Sequence, residues 1–364
     1  MNFSGSYRSD DVSFLLKPLA MQDFVDVPEK EFLIQSGQRH YSEMLSPESL
    51  PSERYLAVFR EACAANTARM ARDCLTLAGL IAQRRSGPVT LVSLARAGTP
   101  VGVVLNHLLP KVFGRASTHY SVSIIRDRGI DQVALDHILA QGHAPESIVF
   151  IDGWTGKGVI SRELSSAIDE FNTRRGTAID GGLYVLSDLA GSAACAASCD
   201  DYLIPSSILN ATVSGLISRS ILNEAIGPGD FHGCVYYQQF EAHDQSQSFA
   251  DALVAAALEI DAADGTPQEQ QAVDREQAGA VSRAYMLAAL AQHGISDVNM
   301  IKPGIGEATR VLLRRSPRLL ILRDAGAPDV AHLVLLAQEK AIPVIVDSTL
   351  PYHAVSLIRS ALDG

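Results

Sequence analysis

The sequence has few of the features that mark secreted or membrane proteins. Its 364 residues include only five cysteines, at positions 63, 74, 195, 199 and 234. Their odd number and irregular spacing do not suggest a disulfide framework. No run approaches the roughly 20 apolar residues that a membrane helix requires, and the polar start lacks the pattern of a signal peptide. These absences predict a cytoplasmic protein without a membrane segment.

Positive charge is also scarce over most of the chain. The net charge of −11 argues against a protein that coats nucleic acid along its whole length. Residues 300–364, however, contain more basic than acidic side chains. The length predicts two or three domains, so a small basic domain can be hidden in the average.

The apolar pattern alternates between strands and helices. After a long helical segment at residues 55–85, short apolar runs predict strands at residues 89–95, 118–125, 147–152 and 182–188. Helical spacing between and after them predicts helices at residues 101–109, 132–141 and 159–173. Strands separated by helices indicate an α/β fold with a doubly wound parallel sheet.

A polar stretch near residue 270 divides the chain. We predict a first domain at residues 1–261, a linker at residues 262–280 and a second domain at residues 281–364, because the stretch has no apolar stripe.

A glycine-rich turn follows the third strand. Glycines there let backbone amides converge at the start of a helix, where a phosphate is favoured. The spacing does not fit a Walker A loop, and a plain strand-to-helix turn is the alternative. The residues concerned are Asp152, Gly153, Thr155, Gly156, Lys157 and Gly158.

This turn resembles the phosphoribosyl-pyrophosphate (PRPP) loop of type I phosphoribosyltransferases. The resemblance implies a Rossmann-like parallel sheet, with Asp152 on the ribose and, through PRPP, on Mg²⁺, and with Thr155–Gly158 on the phosphate. Arg96, Ala97 and Gly98 resemble the family's pyrophosphate loop, and Arg126 and Arg128 lie where its flexible hood would close. Gly153 stands where the family usually has a second acid.

Further polar residues are candidates for the pocket of the attacking nucleophile. Each also has a purely structural alternative, as a cap or as a buried histidine. They are His40, Tyr41, Glu43, Asp188, Arg219 and His232.

The second domain begins with a basic helix. This segment resembles the Pelota and kink-turn-binding ribosomal protein family, which implies a small α/β domain that contacts RNA. A solvated basic helix in a protein-interaction domain is the alternative. The implied RNA-binding residues are Gly304, Glu307, Thr309, Arg310, Arg314 and Arg315.

Nearly the whole chain resembles a bacterial family associated with tellurite-resistance and stress-response gene clusters. That family pairs a phosphoribosyltransferase-like domain with a Pelota-type domain and has also been labelled the cysteine protease StiP family. We therefore expect a glycosyltransferase that displaces pyrophosphate from PRPP, with Mg²⁺. Two alternatives remain: a regulator that binds a phosphoribosyl ligand without turnover, and a cysteine protease. A protease would need a thiolate beside a histidine, as His232 and Cys234 on one strand face could provide; Cys195 and Cys199 could share a helix face.

Overall fold

The computed structural model describes residues 3–20, 33–34, 36–264, 275–315 and 317–359. The first domain contains a seven-stranded sheet in the order β1-β4-β3-β6-β7-β8, with β5 paired to β4. Every pair in it is parallel except β4–β5. The strands of this domain are β1 (Ser13–Leu15), β2 (Lys17–Pro18), β3 (Val89–Ala95), β4 (Ser117–Ile125), β5 (Gly129–Ile130), β6 (Ile148–Thr155), β7 (Leu183–Asp188), β8 (Cys195–Ser198) and β9 (Gly233–Cys234).

Helices cover both faces of the sheet. They are α1 (Glu53–Arg84), α2 (Thr99–Phe113), α3 (Gln132–Ala140), α4 (Val159–Arg175) and α5 (Ser246–Asp264). Neighbouring strand residues enter different cores: Leu91 packs with α1, α2 and α5, whereas Val92 packs with α3 and α4. Burial on both faces explains why the strands are continuous apolar runs, and the predicted α/β class with a mainly parallel sheet is confirmed.

Two local predictions are wrong. Strand β6 continues through Gly153, Trp154 and Thr155, because Trp154 and Thr155 pair with the last two residues of β7. The glycine-rich turn is therefore shorter than predicted. Cys195 begins strand β8 and Cys199 follows its end, so the two do not share a helix face.

The second domain is a smaller α/β unit. Its sheet has the order β10-β13-β11-β12, in which only β11 and β12 are parallel. Its elements are α6 (Arg275–His293), β10 (Ile301–Pro303), α7 (Ile305–Arg314), β11 (Pro317–Leu322), α8 (Ala331–Glu339), β12 (Val344–Val346) and β13 (Ala354–Ile358). The middle of the predicted linker, residues 265–274, lies outside the described residues, and its two ends belong to α5 and α6. Within the described ranges, no helix is both long and apolar enough to cross a membrane.

The second domain sits on the carboxyl edge of the first domain's sheet. Asp201, three residues after β8, accepts backbone hydrogen bonds from Ile305 and His353, both at 2.7 Å. Lys157 donates to the carbonyls of Val298 and Ile301 at 3.1 and 3.3 Å. The edge where ligands usually bind in such sheets is thus partly covered by the chain's own second domain.

We expect Asp201→Ala to destabilise the docked domains by about 2–5 kcal/mol, because it leaves one buried and one partly buried N–H donor without an acceptor. Urea unfolding measures the loss, and amide hydrogen exchange at Ile305 and His353 should accelerate. Asp136→Ala is the control: its carboxylate pairs with Arg175 at the surface, so it should cost less than about 1 kcal/mol. Equal losses in both variants would contradict this role of Asp201.

Candidate functional site

The carboxyl edge brings the predicted loops together. Arg126 follows β4, Arg96 follows β3, residues 156–158 follow β6, and Asp188 ends β7. Because these strands are parallel neighbours, their ends lie at one rim of the sheet.

Three backbone amides of these loops, however, already have partners within the protein. Gly98 donates to the carbonyl of Leu94 at 3.0 Å, Gly153 to its neighbour Asp152 at 2.8 Å, and Gly158 to the hydroxyl of Thr155 at 3.1 Å. A Cβ at Gly98 would lie 2.4 Å from the carbonyl oxygen of Ile151. Glycine is therefore required there by close backbone packing, and these three amides do not form a phosphate cradle.

The basic side chains of the loops are also engaged. Arg96 pairs with Glu48 at 2.7 Å and donates to the carbonyl of Ile217 at 2.9 Å. Burial, with the charge of nearby Lys302, lowers the pKa of Lys157 to about 8. These cations hold the two domains and the first domain's own loops in place.

Most of the predicted nucleophile pocket forms one cluster around Tyr41. The Tyr41 hydroxyl accepts from the backbone N–H of Arg126 at 2.8 Å, and the guanidinium groups of Arg126 and Arg219 lie 5.7 and 5.6 Å from its ring centre. Arg128 pairs with Glu43. The ring of His40 lies 4.4 Å from that of Tyr41. These residues therefore lie together, and the contacts described for them are with one another.

Asp188 and His232 are not among the residues described around the Tyr41 ring. Each has hydrogen-bond partners of its own. The buried Asp188 carboxylate accepts from the amides of Ala190 and Ala193 at 2.9 and 2.8 Å, which closes the turn after β7. His232 Nδ1 lies 2.8 Å from the hydroxyl of Ser123, and burial lowers the pKa of His232. In the part of the chain that the structure describes, no three His, Cys, Asp or Glu side chains are grouped to hold a metal; Mg²⁺ binding stays a prediction.

The predicted RNA-binding residues mostly lie in the domain interface. Gly304 packs against Leu189 and Asp201, and the buried Thr309 hydroxyl donates to the carbonyl of Ile305 at 2.8 Å. Glu307 lies 3.4 Å from Arg310, which faces the small pocket at Arg96. Arg315 is exposed, and the side chain of Arg314 lies outside the described residues.

Asp152 is half-buried at the sheet edge, where the charge of Arg310 from the second domain acts on it. Burial raises its pKa to about 7, although the hydrogen bond from Gly153 and the charge of Arg310 act in the opposite direction. In the unfolded chain an aspartate ionises near pH 3.9. Between these values the folded protein holds the proton more tightly, so ionisation destabilises the folded state progressively as the pH rises from about 4 to 7.

Asp152→Asn should therefore raise the free energy of unfolding at pH 8, by more than about 1 kcal/mol, and change it little at pH 4.5. The amide retains an oxygen to accept from Gly153. Urea unfolding at the two pH values measures the difference. An effect of the same size at both would show that the charge of Asp152 is not the cause.

The five cysteines differ sharply in accessibility. Cys74, Cys195 and Cys234 are buried, Cys63 is half-buried, and Cys199 is exposed. Burial raises the pKa of the Cys63 thiol to about 11 and that of Cys234 to about 12. Since the thiolate is the reactive form, these thiols are poor nucleophiles. Cys234 lies in the apolar core, so the predicted pairing with His232 is not supported by its surroundings.

Cys199 lines a cleft of about 320 Å³ between the two domains. The first domain contributes the ends of β7 and β8. The second contributes the end of β11, the turn before β13 and one face of α6. The lining residues are Arg69, Asp188, Leu189, Cys199, Asp200, Asp201, Ala278, Val281, Ser282, Arg323, Pro351, Tyr352 and His353.

His353 is the imidazole of this cleft. Its backbone N–H is fixed by Asp201, and its ring is close enough for its charge to lower the pKa of that carboxyl, against the larger effect of burial. The Nδ1 atom is buried and has no hydrogen-bond partner among the described residues. An accessible thiol, an imidazole and a carboxylate thus line or border one cleft.

Comparison with known proteins identifies the family. A family model described as tellurite-like stress resistance cysteine protease StiP matches residues 5–254, and one described as PELOTA RNA binding domain matches residues 280–360. A protein of Acinetobacter baylyi named cysteine protease StiP is 42% identical over 377 residues, which cover 100% of this chain and 96% of that protein. The chain belongs to the StiP family.

Membership of the StiP family corrects the predicted activity. The relative and the matching family are named as cysteine proteases, which are hydrolases, so the prediction of a PRPP-dependent glycosyltransferase is wrong. The phosphoribosyltransferase-like assignment and PRPP as ligand are not supported. The amides of Gly98, Gly153 and Gly158 agree with this correction, because each already donates to a partner within the protein.

Two residues of the cleft were missed at the level of sequence. Cys199 was considered only as a helical neighbour of Cys195, and His353 was not considered. One signal was available: Cys199 directly follows the short apolar run of residues 195–198 and precedes two aspartates. An apolar run followed by polar residues is typical of the carboxyl end of a strand. In α/β proteins, functional residues often lie at these ends.

The burial differences predict the order of thiol modification. Iodoacetamide at pH 8 should alkylate Cys199 first and Cys63 more slowly, and should reach Cys74 and Cys234 only after unfolding, because alkylation requires an accessible thiolate. Peptide mass spectrometry after timed quenching measures the order. Native-state alkylation of Cys234 before Cys199 would contradict the described packing.

Proposed function

We propose that this protein is a cysteine protease whose nucleophile is Cys199. The observation that carries the proposal is that Cys199 is the one exposed thiol among the five cysteines, all of which lie in the described ranges. It also lines an interdomain cleft together with His353. The name of the Acinetobacter baylyi relative supports the reaction class.

In the proposed reaction, His353 accepts the proton of the Cys199 thiol, and the thiolate sulfur attacks the carbonyl carbon of a peptide bond. The imidazolium then gives its proton to the amine nitrogen as the C–N bond breaks. Water next attacks the thioester, releases the carboxylic acid and restores the thiol. Asp201 is a positioning residue, because it fixes the backbone of His353 and joins the two domains that form the cleft.

Cys199→Ala should lower the rate of cleavage of an unfolded, fluorophore-labelled protein substrate about a thousand-fold or more, as loss of a nucleophile does in other proteases. His353→Ala should cause a loss of comparable size, because the thiolate would lack its base. Initial rates measure both effects, and circular dichroism checks the fold of each variant.

Cys63→Ala is the matched control, since Cys63 is half-buried in α1 and should leave the rate nearly unchanged. Full activity in Cys199→Ala would reject Cys199 as the nucleophile. A wild-type protein that cleaves neither unfolded proteins nor peptides would reject the activity itself.

We also propose that the second domain binds RNA in the cytoplasm, which the match to the PELOTA RNA binding domain supports. The start of α7 cannot provide the contact while the domains are docked, because Gly304 and Thr309 are buried. Arg315, which is exposed directly after α7, is accessible for a phosphate contact.

A further inference from the structure

The charged groups of the Cys199 cleft are not equally available to a substrate. Three aspartates and two arginines line the cleft. By formal charge alone, the lining is therefore negative and would favour binding of a cation. The two buried aspartates, however, are committed: Asp188 accepts from two amides of its own turn, and Asp201 accepts from Ile305 and His353. Neither carboxylate is accessible for an ion pair with a ligand.

The third carboxylate is paired. Asp200 accepts from Arg69 at 2.8 Å, and the same guanidinium lies 3.8 Å from Asp329 and 4.5 Å from the centre of the Tyr202 ring. Arg69 and Asp200 therefore satisfy each other, and Arg69 is further held by its stacking. This pair contributes little net charge to the cleft.

Arg323 is different. It directly follows β11, and its backbone N–H donates to the carbonyl of His353 at 3.0 Å, which fixes the two residues beside each other at the edge of the cleft. Across the described residues, its guanidinium makes no ion pair or side-chain hydrogen bond. A half-buried guanidinium without a partner retains five N–H donors in a geometry that matches a carboxylate.

We propose that Arg323 determines the substrate class of this cleft: it binds a carboxylate of the substrate, so the protein prefers peptides with an acidic residue near the bond that is cleaved. This inference rests on the proposed function for the reaction itself. The anion preference of the cleft does not require turnover, because it follows from the position of Arg323, which lines the same cleft as Cys199 and is bonded through its backbone to His353.

Alkylation of Cys199 tests the preference without any peptide. Iodoacetate carries a carboxylate and iodoacetamide does not, but both react with the same thiolate. The ratio of the iodoacetate rate to the iodoacetamide rate at Cys199 therefore reports the local electrostatic potential. In Arg323→Gln this ratio should fall roughly two- to five-fold, the range of a partly exposed ion pair. Arg323→Lys should retain most of it, and high salt should lower the wild-type ratio towards that of Arg323→Gln.

Arg60→Gln is the matched control, because it removes the same charge from an exposed position on α1 and should leave the ratio unchanged. A ratio that does not change in Arg323→Gln, or that falls equally in Arg60→Gln, would overturn the role of Arg323. A faster iodoacetate reaction in Arg323→Gln would show that the aspartates dominate, which also overturns it.

Peptide sets that differ only by Glu, Gln or Lys at each position then separate this inference from the proposed function. Wild-type protein should cleave the Glu peptide faster at one position, and Arg323→Glu should reverse the preference in favour of Lys at that position. Cleavage without such a preference would reject the inference and leave the protease intact. No cleavage, with an alkylation ratio that depends on Arg323, would reject the protease and leave the anion-selective cleft.

Discussion

The arrangement of this protein depends on one buried carboxylate, that of Asp201. It extends from the carboxyl end of β8 and accepts one backbone N–H at the start of α7 and another just before β13. Each of those donors would otherwise be buried without a partner in the interface, at a cost comparable to a lost hydrogen bond. Because both oxygens are used, the second domain is fixed in position over the sheet edge.

This docking creates one opening and covers another. Along β3, β4 and β6, the loops that could have held a phosphorylated sugar are occupied by their own hydrogen bonds and by contacts to the second domain. Beside β7 and β8, the two domains diverge and leave the cleft that contains Cys199 and His353. The docked second domain therefore covers part of the predicted transferase site and forms one wall of the candidate protease site.

The electrostatics of the edge follow from burial. Asp152 and Lys157 carry opposite charges in water, yet burial moves the pKa of each towards its neutral form. Buried ionisable groups of this kind often mark functional sites. Here they are explained by the domain contact, whereas the accessible thiol lies to one side of them.

The sequence by itself determined the α/β class and the four central strands of the sheet, with the helices between them. Apolar periodicity is a local property, and buried parallel strands such as β3 and β6 show it strongly. Only the tertiary structure decided which thiol is accessible and where the imidazole lies, because Cys199 and His353 are 154 positions apart in the chain and come to the same cleft through Asp201. The tertiary structure also decided that α7, a basic helix whose sequence resembles an RNA-binding segment, packs against the sheet edge. Burial in a domain interface leaves no local signal in the sequence.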